Sequence, residues 1–275
     1  MIRHWKPYLL LFLLGLDVGL SAQSYPLFNR FDAKAGNYTR IERKFYGTDK
    51  AYAITTDPIE HNVYTVKENG YILQLDEIYP DKKEIPQNPL ANRSRTEFAY
   101  QSIDGYELIE SFENNRPDAP YSRSDYEYTI KRVKDTVIIK QQRKGEAKSH
   151  TMFYMNTSGK IVREVIFDYD DSPAMRHEFS FVLDKQGRPA KRTHRANGRV
   201  VSIDHYVYNA EGFLSEKRKI TSPGKLEGFL YKYTYVLNAE GNWTEERCVS
   251  HVLDEKGKII DGYSSYYLTT QKYSN

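Results

Sequence analysis

Residues 206–220 read YVYNAEGFLSEKRKI and residues 235–249 read YVLNAEGNWTEERCV. The two stretches hold Tyr-x-x-Asn-Ala-Glu-Gly fixed while the residues after the glycine drift. A catalytic site has no reason to recur at so short an interval, whereas a structural unit that stacks on copies of itself does. In each copy two alternating runs flank four turn residues. Asn at the first turn position accepts a hydrogen bond from a backbone N–H two residues on, and Gly at the last takes a positive φ without a Cβ clash. The phrase predicts a β-hairpin closed by a type I turn and a glycine bulge.

The same grammar recurs at Asn156/Gly159, Asp184/Gly187, Asn209/Gly212, Asn238/Gly241 and Asp254/Gly257, with glycine spacings of 28, 25, 29 and 16 residues. A period near 28 holds two strands and two turns. Ser172-Pro173, Asn197-Gly198 and Ser222-Pro223-Gly224 then reverse the chain at the opposite edge. In the N-terminal half, 64–75, 100–112 and 128–140 carry a degraded version of the pattern. Asp76–Arg95 and Asn114–Asp125 are polar and proline-bearing, and read as loops. Leu214–Ile220 and Trp243–Val249 place charges on both alternating faces, which suggests a wet sheet. The expected fold is therefore all-β: an antiparallel up-and-down meander of repeated hairpins forming an extended, twisted, largely single-layer sheet. A β region at 23–150 with degenerate hairpins and Pro-rich loops is expected to continue into the repeats at 151–275.

The N-terminus has basic residues (Arg3, Lys6), an apolar run from Tyr8 to Leu16 and a small-residue ending at Ser21-Ala22. That order predicts a secretory leader over 1–22, with cleavage near Ala22 and delivery to the periplasm or cell surface. No later stretch has the roughly 20 apolar residues of a membrane-spanning helix. The single cysteine, Cys248, leaves no intramolecular disulfide, which suits a bacterial envelope protein held by packing. Forty basic and 37 acidic residues are interleaved, net +3, without the basic stripe that nucleic-acid binding needs. The 24 Tyr and 12 Phe suit pleated, half-buried surfaces.

Tyr208-Asn209-Ala210-Glu211-Gly212-Phe213-Leu214 resembles the core of the tyrosine-aspartate (YD) repeats of the RHS family. Asn238-Ala239-Glu240-Gly241-Asn242-Trp243-Thr244 looks like the Gly-Asn-Trp-Thr variant found in short exported proteins of Bacteroidetes-type bacteria. The likeness covers about residues 150–265, and the family's Asp is Asn at 209 and 238. It implies strand-turn-strand repeats outside the cytoplasm, sometimes linked to carbohydrate binding. The family's shells and toxin delivery are not carried over. Asn197-Gly198-Arg199, Lys225–Gly228 and Lys258–Gly262 resemble short MORN-type or antitoxin-type repeats and imply the same meander.

No catalytic constellation emerges. Cys248 with His251 or His205 lacks a third, orienting group. His150, His177 and His194 lack metal-ligand spacing, and Asp168–Pro173 lacks the glycine and distal Glu of a calcium loop. No cofactor or metal site is expected. The remaining candidate is aromatic: Tyr206, Tyr208, Tyr231, Tyr233, Tyr235 and Trp243 alternate along repeat strands as a face for a glycan or a protein partner. The leading expectation is an exported, non-enzymatic interaction or structural module of the bacterial envelope. A carbohydrate-binding module using that aromatic row is the alternative, and a hydrolase with a site in the Asp76–Arg95 loop is a further one.

Overall fold

The computed structural model describes residues 38–67, 71–79, 92–116, 119–145, 150–168, 175–221 and 224–274. The leader expected at 1–22 lies outside them, as do residues 80–91 and 169–174. The strands run β1 Arg40–Thr48, β2 Glu60–Val66, β3 Ile72–Ile78, β4 Arg93–Ile103, β5 Tyr106–Arg116 and β6 Ala119–Val133. They continue as β7 Thr136–Arg143, β8 His150–Met155, β9 Ile161–Asp168, β10 Met175–Leu183 and β11 Pro189–Ala196. The last are β12 Arg199–Tyr208, β13 Leu214–Ile220, β14 Gly228–Leu237, β15 Trp243–Leu253 and β16 Ile259–Ser274.

Each strand pairs antiparallel with its sequence neighbours, and β16 pairs with β1, so the sheet is a closed barrel of sixteen strands among the described residues. The all-β antiparallel meander agrees with expectation; the open, extended sheet does not. Closure rests on nine opposed residue pairs from Arg40 opposite Ser274 to Thr48 opposite Tyr266. Inside the seam, the Arg43 Nε and Nη2 donate to the Gln271 carboxamide oxygen at 2.9 and 2.7 Å. A two-stranded join this distant in sequence leaves no local signature, which is why the strand-by-strand pattern did not announce it.

Of the two stretches read as loops, 114–125 is largely strand among its described residues, and Asp76–Arg95 is strand at its two ends, 76–78 and 93–95. β5 and β6 carry the chain through Asn114–Asp125, with Ser111 opposite Asp125. Asp76 and Arg95 stand opposite one another in β3 and β4, where Arg95 Nε and Nη2 donate to the Asp76 carboxylate at 2.8 and 3.0 Å. The intervening residues 80–91 of the loop considered for a hydrolase site are outside the described residues.

The five Asn/Asp-to-Gly segments are turns of one construction. At each, the Gly N–H donates to the carbonyl of the Asn or Asp, at 3.0 Å for Gly159, 3.0 Å for Gly187, 3.1 Å for Gly212, 3.0 Å for Gly241 and 2.9 Å for Gly257. The first residue's side-chain oxygen accepts from the backbone N–H just past the glycine, as Asn209 does from Phe213 at 2.8 Å and Asn238 from Asn242 at 2.9 Å. The glycines sit at φ of +73° to +92°, where a Cβ would be strained.

Tyrosine hydroxyls tie the hairpins together by a repeated device. Tyr100, Tyr128, Tyr208, Tyr235 and Tyr273 donate to the carbonyls of Ile72, Ile109, Pro189, Leu214 and Trp243 at 2.6, 2.6, 3.0, 2.8 and 3.3 Å. In all five cases the carbonyl lies two residues before the last pair of its ladder and the tyrosine three residues beyond it. The ladder has run out there, so a backbone acceptor would otherwise lack a partner. At the corresponding place between β9 and β10, Ile161 faces Leu183, and no hydroxyl is supplied. Tyr100→Phe and Tyr208→Phe are each expected to lower unfolding stability by about 1–2 kcal/mol, while Tyr263→Phe, at a 66 % exposed position, leaves it unchanged; urea denaturation of the three variants measures this.

The apolar core falls into two clusters. Leu108, Ile139, Phe153, Met155 and Ile161 form one, and Ile41, Tyr64, Val66 and Ile72 form the other.

Candidate functional site: the two faces of the wall

Alternation gives each strand two faces, and contacts across two strands show which one is inside. The Arg43 guanidinium of β1 lies 5.3 Å from the Trp243 ring centroid of β15, across β16. Side chains two strands apart converge in this way on the concave side of a curved wall. Register then places Tyr64, Phe45, Thr269, Gln271, Glu246, Cys248, Tyr233, Tyr231, Lys217, Tyr206, Asp204, Arg192, Phe179, Glu164 and Phe153 on that same inner face.

The structure places the six aromatic candidates on strands β12, β14 and β15. Tyr206, Tyr233 and Trp243 are buried on the inner face. Tyr235 packs on Trp243 and on Phe213, with ring centroids 6.3 and 5.1 Å apart. The hydroxyls of Tyr208 and Tyr235 are engaged by backbone carbonyls. Lys217, itself buried, sits 5.9 Å from the ring centroids of both Tyr206 and Tyr231. Tyr208, Tyr231 and Tyr235 are half-buried, and the rings of the row pack across neighbouring strands.

The charges assigned to a wet sheet are also partly inside. Glu246 is 1 % exposed, and burial pushes its carboxyl up to about 7, with Arg43 and Tyr235 pulling the other way. Glu164 on β9 is raised to about 7 by burial, opposed by Arg192. Asp204, fully buried, pairs with Arg192 at 2.9 Å. The sequence does not single these inner acids out, because a strand with charges at both parities looks identical whether one set is wet or paired with a buried arginine.

Histidines that the sequence left scattered meet on β10 and β11. His177 Nδ1 and His194 Nε2 are 3.0 Å apart, and His194 stacks on Phe179 at 4.4 Å. Burial, then the neighbouring His177 and Arg192, depress the His194 pKa to about 4. Among the described residues no group of three or more His, Cys, Asp or Glu is placed to hold a metal ion. Cys248 faces inward, where burial and then Glu246 raise its thiol pKa. His251 and His205 lie on the opposite face, so no thiol–imidazole pair forms.

The outer face is charged at mid-strand. Arg123 bonds Glu113 and Asp125 at 2.6 and 3.0 Å, Glu178 receives Arg163 and Arg176 at 3.1 and 2.9 Å, and Arg247 pairs Glu245 at 3.0 Å. On β1, Glu42 accepts Lys44 at 3.0 Å and faces His61 at 2.8 Å. A barrel that spans a bilayer presents an apolar band about 25 Å tall to lipid, and an Arg or Lys at its midplane costs about 2–4 kcal/mol. No such band runs round the described strands. No described helix is long and apolar enough to cross a membrane either.

No protein-family model matches the chain, and no curated protein matches it. Among solved structures it is similar to a porin-like protein from Bacteroides uniformis, with TM-score 0.35 and 11 % identity over 87 % of this chain and 98 % of that one. It is also similar to a chain of the Photorhabdus luminescens Tc holotoxin pore, TM-score 0.24 and 10 % identity, and to one of a TcdB2–TccC3 structure, TM-score 0.23 and 11 % identity. Those two matches each cover 84 % of this chain and 16 % of the other.

Proposed function

We propose that this chain is an exported, non-enzymatic β-repeat barrel that stands in water and acts as an interaction or structural module of the bacterial envelope. The observation that carries the reading is the outer wall, where ion pairs occupy the mid-strand positions that a membrane barrel gives to lipid-facing apolar side chains. The leader-like N-terminus supports export. The inner wall supports a structural part for its aromatics, since their hydroxyls and rings are engaged within the wall.

Expressed with its N-terminal segment in an envelope-bearing bacterium, the protein is expected in the detergent-free soluble fraction released from the envelope, folded by circular dichroism. Recovery only with detergent, with a mobility change on heating in gels, would overturn the reading in favour of a membrane-inserted barrel.

A further inference from the structure

Outward-facing charges on this barrel are mostly opposed by their complements across the strands: Asp76 by Arg95, Glu113 by Arg123, Glu178 by Arg195, Glu216 by Lys232. Like-type residues also meet, as Glu97 does Glu113 and Lys44 does His61, and one row carries three bases in succession. Lys191 on β11 stands directly opposite His205 on β12, and His205 directly opposite Arg218 on β13. Three bases on consecutive strands span about 10 Å of wall, and the two flanking cations disfavour a proton on the histidine between them. Among the described residues none of the three has a carboxylate at ion-pair distance; Arg218 Nη2 reaches only the Gly257 carbonyl, at 3.5 Å. Gly257 makes room for that guanidinium, since a Cβ there would collide with it. His205 is exposed, and its pKa is depressed by burial of part of its ring and then by Lys191 and Arg218, with Asp204 behind the wall acting the other way.

Two exposed valines border the row. Val182, 60 % exposed, lies opposite Lys191, and Val207, 53 % exposed, follows His205 on the same face. Ile203 and Thr193 flank the row, and Glu216, on the far side of Arg218 along β13, faces Lys232 and Val207.

We propose that this row is a docking surface for an acidic, extended segment of a protein partner, one that alternates carboxylates with apolar side chains. The carboxylates pair Lys191 and Arg218, which have no carboxylate at ion-pair distance among the described residues, and the apolar side chains cover Val182 and Val207. A phosphorylated sugar or a free phosphate would meet the bases but leave the two exposed valines uncovered. The assignment rests on the outer wall facing water. Protein that stays soluble and folded yet fails to bind would therefore count against the acidic partner alone, whereas insolubility without detergent would count against the solvated barrel.

The test uses the full chain and a labelled alternating Glu-Val peptide of about ten residues, followed by fluorescence anisotropy at roughly 50 mM salt. Saturable binding is expected, weakened about tenfold or more by Lys191→Gln and by Arg218→Gln and unchanged by Lys44→Gln on the β1 wall. Lys191→Gln removes an unpaired surface charge, so the comparison survives if Arg218→Gln fails to fold. Binding is also expected to tighten severalfold as pH falls through the histidine range, because a bound carboxylate favours protonated His205, and His205→Gln abolishes that pH response. Absence of saturable binding, equal binding by the Lys191 variant, or equally tight binding of inorganic phosphate or phosphatidylglycerol vesicles would overturn the proposal.

Discussion

Glu246→Gln is expected to make the barrel more stable at alkaline pH and to leave it unchanged in acid. The Glu246 carboxyl is buried against Tyr235 and Arg43, and burial lifts it from its ordinary 4.5 to about 7. An acid whose pKa is raised by folding binds its proton more tightly in the folded chain. Its contribution is therefore fully present below pH 4.5 and is lost as pH rises through about 7. A shift of this size corresponds to about 3 kcal/mol, an upper figure for a single buried site. Gln keeps the shape and the hydrogen-bonding capacity and removes the charge. Glu164 is raised in the same way, but His194 works in the opposite sense: depressed to about 4, it is lost as a stabilising neutral group when pH falls from 6.5. The wild-type profile therefore mixes opposing slopes. The difference between Glu246→Gln and wild type, from urea unfolding at about pH 4.5 and about pH 8.5, isolates one residue. A variant less stable than wild type at the higher pH would mean that the Arg43 pairing outweighs the desolvation of Glu246.

Gly228→Ala is expected to cost about 3 kcal/mol or to prevent folding. The reason is not conformational, since Gly228 does not have a positive φ. It stands opposite Ile220 and Leu253, and a Cβ built on it falls onto the Lys219 carbonyl oxygen and within 2.9 Å of that carbonyl's carbon. Backbone cannot step aside as a flexible side chain can. Gly198→Ala provides the contrast: at φ +81° with nothing within 4 Å of its Cβ, it should lose only the roughly 1 kcal/mol that a left-handed residue with a side chain costs. Urea midpoints for the two variants decide the matter, and a Gly228→Ala protein within 1 kcal/mol of wild type would show that β13 and β14 can separate locally without penalty.

The contrast between these two glycines also shows what the sequence makes legible. Gly198 follows Asn197 in a turn, and Asn156, Asp184, Asn209, Asn238 and Asp254 each bond to N–H groups within four residues. Everything such a turn requires is local, so a few letters disclose it. Gly228 is needed because another strand passes close by, and nothing beside it in the sequence says so. The same distinction separates the strands, which alternation reveals, from the barrel, which depends on Arg40–Thr48 meeting Tyr266–Ser274 more than 200 residues later. For the aromatic row, the sequence disclosed that Tyr231, Tyr233 and Tyr235 share a face but not whether that face looks out or in. Lys217 and Glu246 on neighbouring strands suggested water, and they are in fact covered by the rings and arginines around them.

The ring of antiparallel strands has a consequence for how such a chain changes in length. An antiparallel sheet can close on itself only with an even number of strands, because an odd strand would arrive at the seam pointing the wrong way. Loss or gain of one strand would thus forfeit the antiparallel seam, while loss or gain of a hairpin preserves it. The near-identical phrases at 206–220 and 235–249 mark such a unit: a copied hairpin enters as a matched pair, brings its own turn, and leaves β1 and β16 facing each other in the orientation they need.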